Sequence, residues 1–263
     1  MKIIVLVKQV PNTTEVKLDP KTGNLIREGI ESIINPDDRH ALEAAVHLKE
    51  TAKAKVTVLS MGPPQAIDAV SEAMGMGADE GILLSDRAFA GADTWATSST
   101  LGKAIETIGG YDLVLCGRQA IDGDTAQIGP QVADYLQVPQ VTYVIGIEEI
   151  REKSMVVKRR LEDGFERVEC DLPALLTVIG EMNTPRYPLV GRLIDACREK
   201  ASIKTWNAAD IGVQTRDVGL DGSLTHVIKT FAPKLQRQTE MIPGDAKTAV
   251  KTLAGKMKEK KLI

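Results

Sequence analysis

Residues 112–130, Asp-Leu-Val-Leu-Cys-Gly-Arg-Gln-Ala-Ile-Asp-Gly-Asp-Thr-Ala-Gln-Ile-Gly-Pro, read as a buried strand running through a flexible turn into a new helix. Backbone N–H groups at a helix start lack partners and lie at the positive end of the macrodipole, so such a junction suits an anion. Gly123 would let the main chain approach a ligand closely, and the anion expected is a nucleotide phosphate. Asp124 and Gln127 also stand at the N-cap and N3 spacing of a capping box, which would satisfy the helix's own donors. Asp122, Asp124, Thr125 and Gln127 together supply more hydrogen-bonding groups than a cap uses, which favours binding.

The elements that must position this turn follow from the hydrophobic pattern. Lys2 to Val7, Lys55 to Met61, Gly81 to Leu84 and Asp112 to Cys116 are short apolar runs separated by amphipathic segments, the pattern of βαβ units. Asp38 to Glu50 repeats Leu42, Ala45, Val46 and Lys49 at helical spacing, and Pro64 to Met76 repeats Ile67, Val70 and Met74. The fold expected is α/β: a Rossmann-like, mostly parallel sheet flanked by helices. Val16 to Arg27 suggests a hairpin excursion, and Val141 to Val178 an edge β-meander with a turn at Asp163-Gly164. Residues 183–198 read as a loop entering a helix. Residues 207–243 form a Gly- and Pro-punctuated extended arm suited to lie on another protein, and a last helix spans Asp245 to Lys260. The organisation expected is one nucleotide-binding domain over 1–206 and a C-terminal arm and helix over 207–263.

In an open α/β sheet the loops after the strands share one edge, where ligands bind. Leu6 to Pro11, Asn35-Pro36-Asp37-Asp38, Met61-Gly62-Pro63-Pro64 and Asp122 to Pro130 would together wall a mononucleotide pocket there. Alone, the first three are also ordinary strand exits and helix starts. Thr94 and Thr97 share a helical face with Leu101, Ala104, Ile105 and Ile108, so their hydroxyls should point inward, toward a ligand or toward backbone carbonyls one turn back.

Other chemistries lack their residues. No G-x-x-x-x-G-K-[ST] occurs, and Gly75 to Gly81 misses the dinucleotide spacing and precedes a strand. His40 and His47 are roughly 10 Å apart along one helix, too far to share a metal. No catalytic side-chain arrangement stands out, so any reaction belongs to a cofactor. A net charge of -3 argues against nucleic acid, with the C-terminal lysines complementing a helix dipole. Three scattered cysteines, the absence of a signal-peptide pattern at Met1 to Val10 and the lack of a membrane-length apolar run fit a cytoplasmic protein.

Lys-Ile-Ile-Val-Leu-Val-Lys-Gln-Val-Pro at the start, Ile-Asn-Pro-Asp-Asp before the first long helix, Ser-Met-Gly-Pro-Pro, the Met-Gly-Ala-Asp turn and the long Cys116 to Pro130 motif resemble the β subunit of electron-transfer flavoprotein. The resemblance covers essentially the whole chain. It implies a heterodimer with an α subunit that holds a flavin between the subunits, while the β subunit holds a second adenine nucleotide. By position, Leu6, Val7, Lys8, Asn35, Pro36, Asp37, Asp38, Met61 and Gly62 would contact that nucleotide. So would Arg118, Ala120, Asp122, Gly129 and Pro130, with Gly123, Asp124, Thr125, Ala126 and Gln127 on the diphosphate.

Members of the family hold either structural AMP or a redox-active FAD at this place. The Gly-Ala-Asp-Thr-x-Ala-Thr-Ser and Asp-Gly-Asp-Thr-Ala-Gln-x-Gly-Pro segments are similar to the FAD-holding, electron-bifurcating members, which implies that Thr94 and Thr97 orient the ring. Asn12 and Asp37 depart from the common pattern and concern the ring's surroundings. The implied function is hydride acceptance from NADH, then one electron to ferredoxin or flavodoxin and one through the α-subunit flavin to an acyl-CoA dehydrogenase-type flavoenzyme. Leu189 and Val190 would dock that enzyme. The alternatives are a non-bifurcating carrier with AMP, and a stand-alone adenine-nucleotide-binding protein.

Overall fold

The computed structural model describes residues 1–12, 31–198, 203–229 and 239–263. The chain divides into two units, Met1–His226 and Val227–Ile263.

The first unit opens with β1 (Lys2–Leu6), a short antiparallel ladder of β2 (Gln9–Pro11) and β3 (Ser32–Ile34), then α1 (Pro36–Ala52). The hairpin expected over Val16 to Arg27 lies outside the described residues. There follow β4 (Lys55–Met61), α2 (Ile67–Met76), β5 (Glu80–Leu84), α3 (Thr94–Ile108), β6 (Leu113–Gly117) and α4 (Ile128–Leu136). Next come β7 (Gln140–Ile150), β8 (Ser154–Arg160), β9 (Phe165–Asp171), β10 (Ala174–Val178), α5 (Val190–Arg198) and β11 (Ile203–Trp206).

Among the described residues nine strands form one sheet in the order β11-β5-β4-β1-β6-β10-β7-β8-β9, antiparallel only at β7-β8-β9. The Rossmann-like α/β expectation therefore stands. Strand alternation builds two cores. Ile3, Val5, Val56, Val58, Leu113 and Leu115 meet Leu42, Ala45 and Val46 of α1 on one face. Ile4, Leu6, Leu59, Val114 and Cys116 meet Leu101, Ala104 and Ile105 of α3 and Val132 of α4 on the other. Strands buried on both faces explain the unbroken apolar runs.

The edge meander is smaller than expected. The Asp163-Gly164 turn does join β8 to β9, with the Leu161 N–H on the Gly164 carbonyl at 2.9 Å. But β10 leaves the meander and lies parallel between β6 and β7 with all five residues buried. Ala-Leu-Leu-Thr-Val has no polar face to offer solvent, so a central position is the one that suits it. The boundary at 206/207 also moves. Ala208, Ile211 and Val218 are buried beside Phe89 and Leu101, which keeps 207–226 in the first unit.

In the second unit α6 (Ala246–Glu259) starts at Asp245, whose carboxylate accepts the Thr248 N–H at 2.9 Å, and ends with Lys256 and Lys258 in its last turn. This is the charge order a helix dipole favours. No described helix is long and apolar enough to cross a membrane.

Candidate functional site at the carboxyl edge

From β1 the chain steps to β4 and β5 on one side and later to β6 on the other, so the strand order reverses at β1. Ligand crevices in open sheets lie at such a point, beyond the strand ends. Here the ends of β1 and β6 are tied together by the start of α1. The Asp38 carboxylate accepts the Lys8 N–H at 2.8 Å with one oxygen and the Gly117 N–H at 2.9 Å with the other. Gly117 is required by that contact, since a Cβ there would lie 2.5 Å from Asp38 Oδ1. Burial pushes the Asp38 carboxyl up to about 7, against the pull of these two amides. Asn35 is fully buried; it donates to the Gln119 carbonyl at 2.9 Å and accepts the Ile121 N–H at 3.1 Å. Pro36 opens α1, where its fixed φ costs nothing. Asn35 and Asp38 thus brace the crevice from within, their side chains engaged by backbone.

The loop so suspended, residues 118–127, is exposed along most of its length. The expected capping box is absent, and the helix begins three residues later than Thr125. α4 starts at Ile128 after Gln127, which makes no side-chain cap, and Asp124 instead bonds the Gln119 side chain. The reason lies in the backbone. Asp124 and Ala126 are left-handed (φ 52° and 54°), and the Asp124 N–H closes on the Ala120 carbonyl at 2.8 Å, which turns the aspartate away from the helix. Nor is Gly123 the special position; its φ is not left-handed, and a Cβ there would meet nothing within 4 Å.

Without a side-chain cap, the amides at the start of α4 have no side-chain acceptor among the described residues. Ala126 is left-handed and Gln127 right-handed (φ −105°, ψ −25°), the kind of alternation from which backbone anion nests are built. Pro130 in the first turn carries no N–H. Gly129 is buried because α4 is pressed onto the sheet, where a Cβ would lie 2.4 Å from Thr177 Cγ2. Lys8 and Asp122 form a 2.7 Å ion pair across the crevice mouth, joining the ends of β1 and β6 by side chains as Asp38 joins them by backbone. Leu6 and Val7 are buried beneath it, while Met61 and Gly62 at the end of β4 are half-buried, with the Gly62 N–H on the Leu84 carbonyl at 3.0 Å.

At the start of α3, Thr94 and Thr97 are half-exposed; the inward positions are Ala96, Ser98, Thr100 and Leu101. The inward face expected holds for Leu101, Ala104 and Ile105, while Thr94 and Thr97 are only partly buried. Thr100 bonds the Ala96 carbonyl one turn back, but Thr94 and Thr97 make no side-chain hydrogen bond to a described residue. Sequence reasoning missed Asp93 beside them, although an Asp before a periodic run is an N-cap signal. It caps α3 through Ala96 N–H at 2.9 Å and holds Thr225 by both its N–H and its hydroxyl. Burial raises its carboxyl less than these hydrogen bonds lower it.

Arg118 lies 3.8 Å from Asp37, and its guanidinium stands 5.6 Å from the centre of the Tyr143 ring. Burial raises the Asp37 carboxyl, with Arg118 and His40 opposing. Among the described residues no group of three or more acidic, histidine and cysteine side chains is placed to hold a metal ion.

The loop before α5 sits on the helices behind the crevice. Arg186 pairs with Glu43 at 2.9 Å and Glu50 at 2.5 Å, Asn183 bonds the His40 carbonyl at 2.9 Å, and the Leu189 N–H bonds the Gly75 carbonyl at 3.0 Å. Beyond these anchors Tyr187, Leu189 and Val190 are 88%, 62% and 72% exposed.

Comparison with known proteins agrees with this architecture. Residues 22–211 match the electron transfer flavoprotein domain. The chain is 52% identical over 263 residues to an electron transfer flavoprotein subunit beta of Thermoanaerobacterium thermosaccharolyticum, with both chains fully covered. It is 52% identical over 265 residues to the caffeyl-CoA reductase-Etf complex subunit CarD of Acetobacterium woodii, again with both fully covered. With the acryloyl-CoA reductase electron transfer subunit gamma of Anaerotignum propionicum it shares 40% identity over 269 residues and the whole of both chains. A chain matched by that domain over most of its length, and by such relatives from end to end, belongs to the electron transfer flavoprotein family.

Proposed function

We propose that this chain is the β subunit of a cytoplasmic, heterodimeric electron-transfer flavoprotein, and that its carboxyl edge binds FAD with the diphosphate at the start of α4. The observation that carries the reading is the uncapped helix start at Ile128, preceded by the left- and right-handed pair Ala126 and Gln127, at the reversal point of the strand order. Amides from Ala126 to Gly129 would hold the diphosphate, with Asn35 and Asp38 keeping that loop in place. FAD rather than AMP is favoured by a second helix start at the same edge. Thr94 and Thr97, half-buried and with no side-chain hydrogen bond to a described residue, offer hydroxyls there, and α3 packs so closely on α4 that a Cβ at Gly102 would meet the Tyr135 ring.

When bound, FAD supplies hydride acceptance from NADH and release of single electrons, one to ferredoxin or flavodoxin and one through the α-subunit FAD to an acyl-CoA dehydrogenase-type flavoenzyme. The names of the relatives from Acetobacterium woodii and Anaerotignum propionicum, both parts of acyl-CoA reductase systems, support a partner of that type. Leu189 and Val190, exposed on an anchored loop, suit its docking. A partner subunit is supported by the arm and last helix, where Val227, Ile228, Met241 and Val250 are 85%, 98%, 86% and 65% exposed. An anaerobic NADH titration of the co-purified heterodimer tests the reading: two flavins bleach per heterodimer, and with ferredoxin, an acyl-CoA dehydrogenase-type partner and its acyl-CoA added, ferredoxin and acyl-CoA are reduced together. Bleaching of no more than one flavin, or acyl-CoA reduction indifferent to ferredoxin, contradicts it.

A further inference from the structure

Tyr143 is a bulky residue in the left-handed region, at φ 57°, inside strand β7. Side chains with a Cβ pay for that conformation, and they persist in it where the surroundings over-determine them. The cause is a bulge. Val141 pairs with Leu176 and Val144 with Val178, so Thr142 and Tyr143 together face the single residue Thr177. The spare amide is satisfied locally, with the Tyr143 N–H on the Thr177 hydroxyl at 3.3 Å, and Thr177 itself is 1% exposed. Asn or Gly would fit the same backbone with less strain, so the turn does not explain why an aromatic stands here.

What the ring touches does explain it. The bulge turns Tyr143 outward, 39% exposed, to stand 5.6 Å from the Arg118 guanidinium, within cation–π range. On its other flank Arg118 has Asp37 at 3.8 Å, too far for a hydrogen bond. Arg118 Nε is buried with no hydrogen-bond partner among the described residues. The guanidinium is therefore oriented by a ring and a nearby charge, neither of which occupies its donors, and its terminal N–H groups are unengaged among the described residues. Its main chain is fixed as well, with the Arg118 N–H on the Val178 carbonyl at 2.9 Å. A cation pre-oriented with unengaged donors, at the first residue of the loop that leads to the start of α4, is built for an anionic oxygen.

We propose that Tyr143 is a positioning residue which, through the strained bulge, holds Arg118 as an additional phosphate-binding group at the carboxyl edge. The inference rests on the nucleotide reading above and adds to it the residue that orients the cation.

The test is calorimetric titration of ADP and of adenosine into the nucleotide-stripped heterodimer, in wild type and in Y143F, Y143A, Y143G, R118M and the double variant R118M/Y143A. Y143F keeps the ring and binds ADP within about twofold of wild type. Y143A and Y143G lose about fivefold or more, the scale of a cation–π contact. Adenosine, with no phosphate, binds all variants alike. R118M/Y143A binds ADP no more weakly than R118M, since the tyrosine acts through the arginine. Y143G, relieved of strain, melts no lower than Y143A. Wild-type ADP affinity in Y143A, an equal loss of adenosine affinity, or additive losses in the double variant overturns the assignment. A wild type that binds neither probe overturns the nucleotide reading itself, and the inference with it.

Discussion

Asp38 Oδ1 accepts the amide N–H of Gly117 at 2.9 Å across 79 residues of chain. With the other oxygen on the Lys8 amide, a single buried carboxylate at the start of α1 fixes the separation of the two strand ends that frame the crevice. Asp38→Ala leaves two N–H groups without acceptors, that of Gly117 in a buried place and that of Lys8 in a part-buried one. The expected cost is about 2–6 kcal/mol, from roughly 1–3 kcal/mol for each of the two unsatisfied donors. Urea denaturation of the complex measures it, and a loss under about 0.5 kcal/mol, the range of a surface substitution, would show the brace to be dispensable.

The same carboxylate sets a pH dependence. Its folded value of about 7 lies above its ordinary 3.8, so between these values the folded chain keeps a proton that the unfolded chain has released. Stability contributed through Asp38 is therefore greatest at low pH and falls as pH rises from about 4 to about 7. Asp86, Asp93, Glu169 and Asp245, whose values are lowered, are ionised in both states above pH 5 and add no slope there. Denaturation midpoints should thus drop between pH 5 and pH 7.5, and Asp38→Asn should flatten that drop; a rise across the window contradicts the assignment.

How much of this was legible beforehand differs by element. The apolar runs at Lys2 to Val7 and Asp112 to Cys116 announced buried parallel strands, because strands covered on both faces need no polar alternation. The place of β10 was not legible; Ala-Leu-Leu-Thr-Val is the same string at an edge or in the middle, and strand order depends on contacts far away in sequence. The loop before α4 reads in the sequence as a candidate ligand segment, yet its geometry is hidden there. Asp124 and Ala126 occupy left-handed positions that glycine usually marks, while the actual glycine, Gly123, does not. Tyr143 gave no signal at all, since a bulge is a mismatch between two strands and is written in neither one.

Gly129 must lack a side chain for the start of α4 to reach the sheet, because a Cβ would lie 2.4 Å from Thr177 Cγ2 and 3.0 Å from Cys116 Sγ. Gly129→Ala should lift the helix start, destabilise the fold by about 1–3 kcal/mol as overpacked cores do, and weaken nucleotide retention. Thermal melting and nucleotide content after gel filtration read the two effects. Full retention in Gly129→Ala would separate the helix start from binding.

Arg186 anchors the exposed Leu189 and Val190 by pairing with Glu43 and Glu50, and these pairs push its guanidinium further toward the charged form. Arg186→Met leaves Glu43, whose side chain is 12% exposed, without its cation. Hydrogen exchange at residues 184–190 should rise about tenfold or more, roughly 1.4 kcal/mol of local stability, while exchange in β1 and β6 stays unchanged. Unchanged protection at Leu189 would assign the anchoring to the Gly75 carbonyl alone.

On the proposed reading, a dinucleotide carrying a redox-active ring occupies the edge where β1 and β6 end. Acid release and chromatographic quantification of nucleotides from the co-purified heterodimer tests it most directly. Two FAD per heterodimer and no AMP is the predicted result; one FAD with one AMP, or one FAD alone, contradicts it.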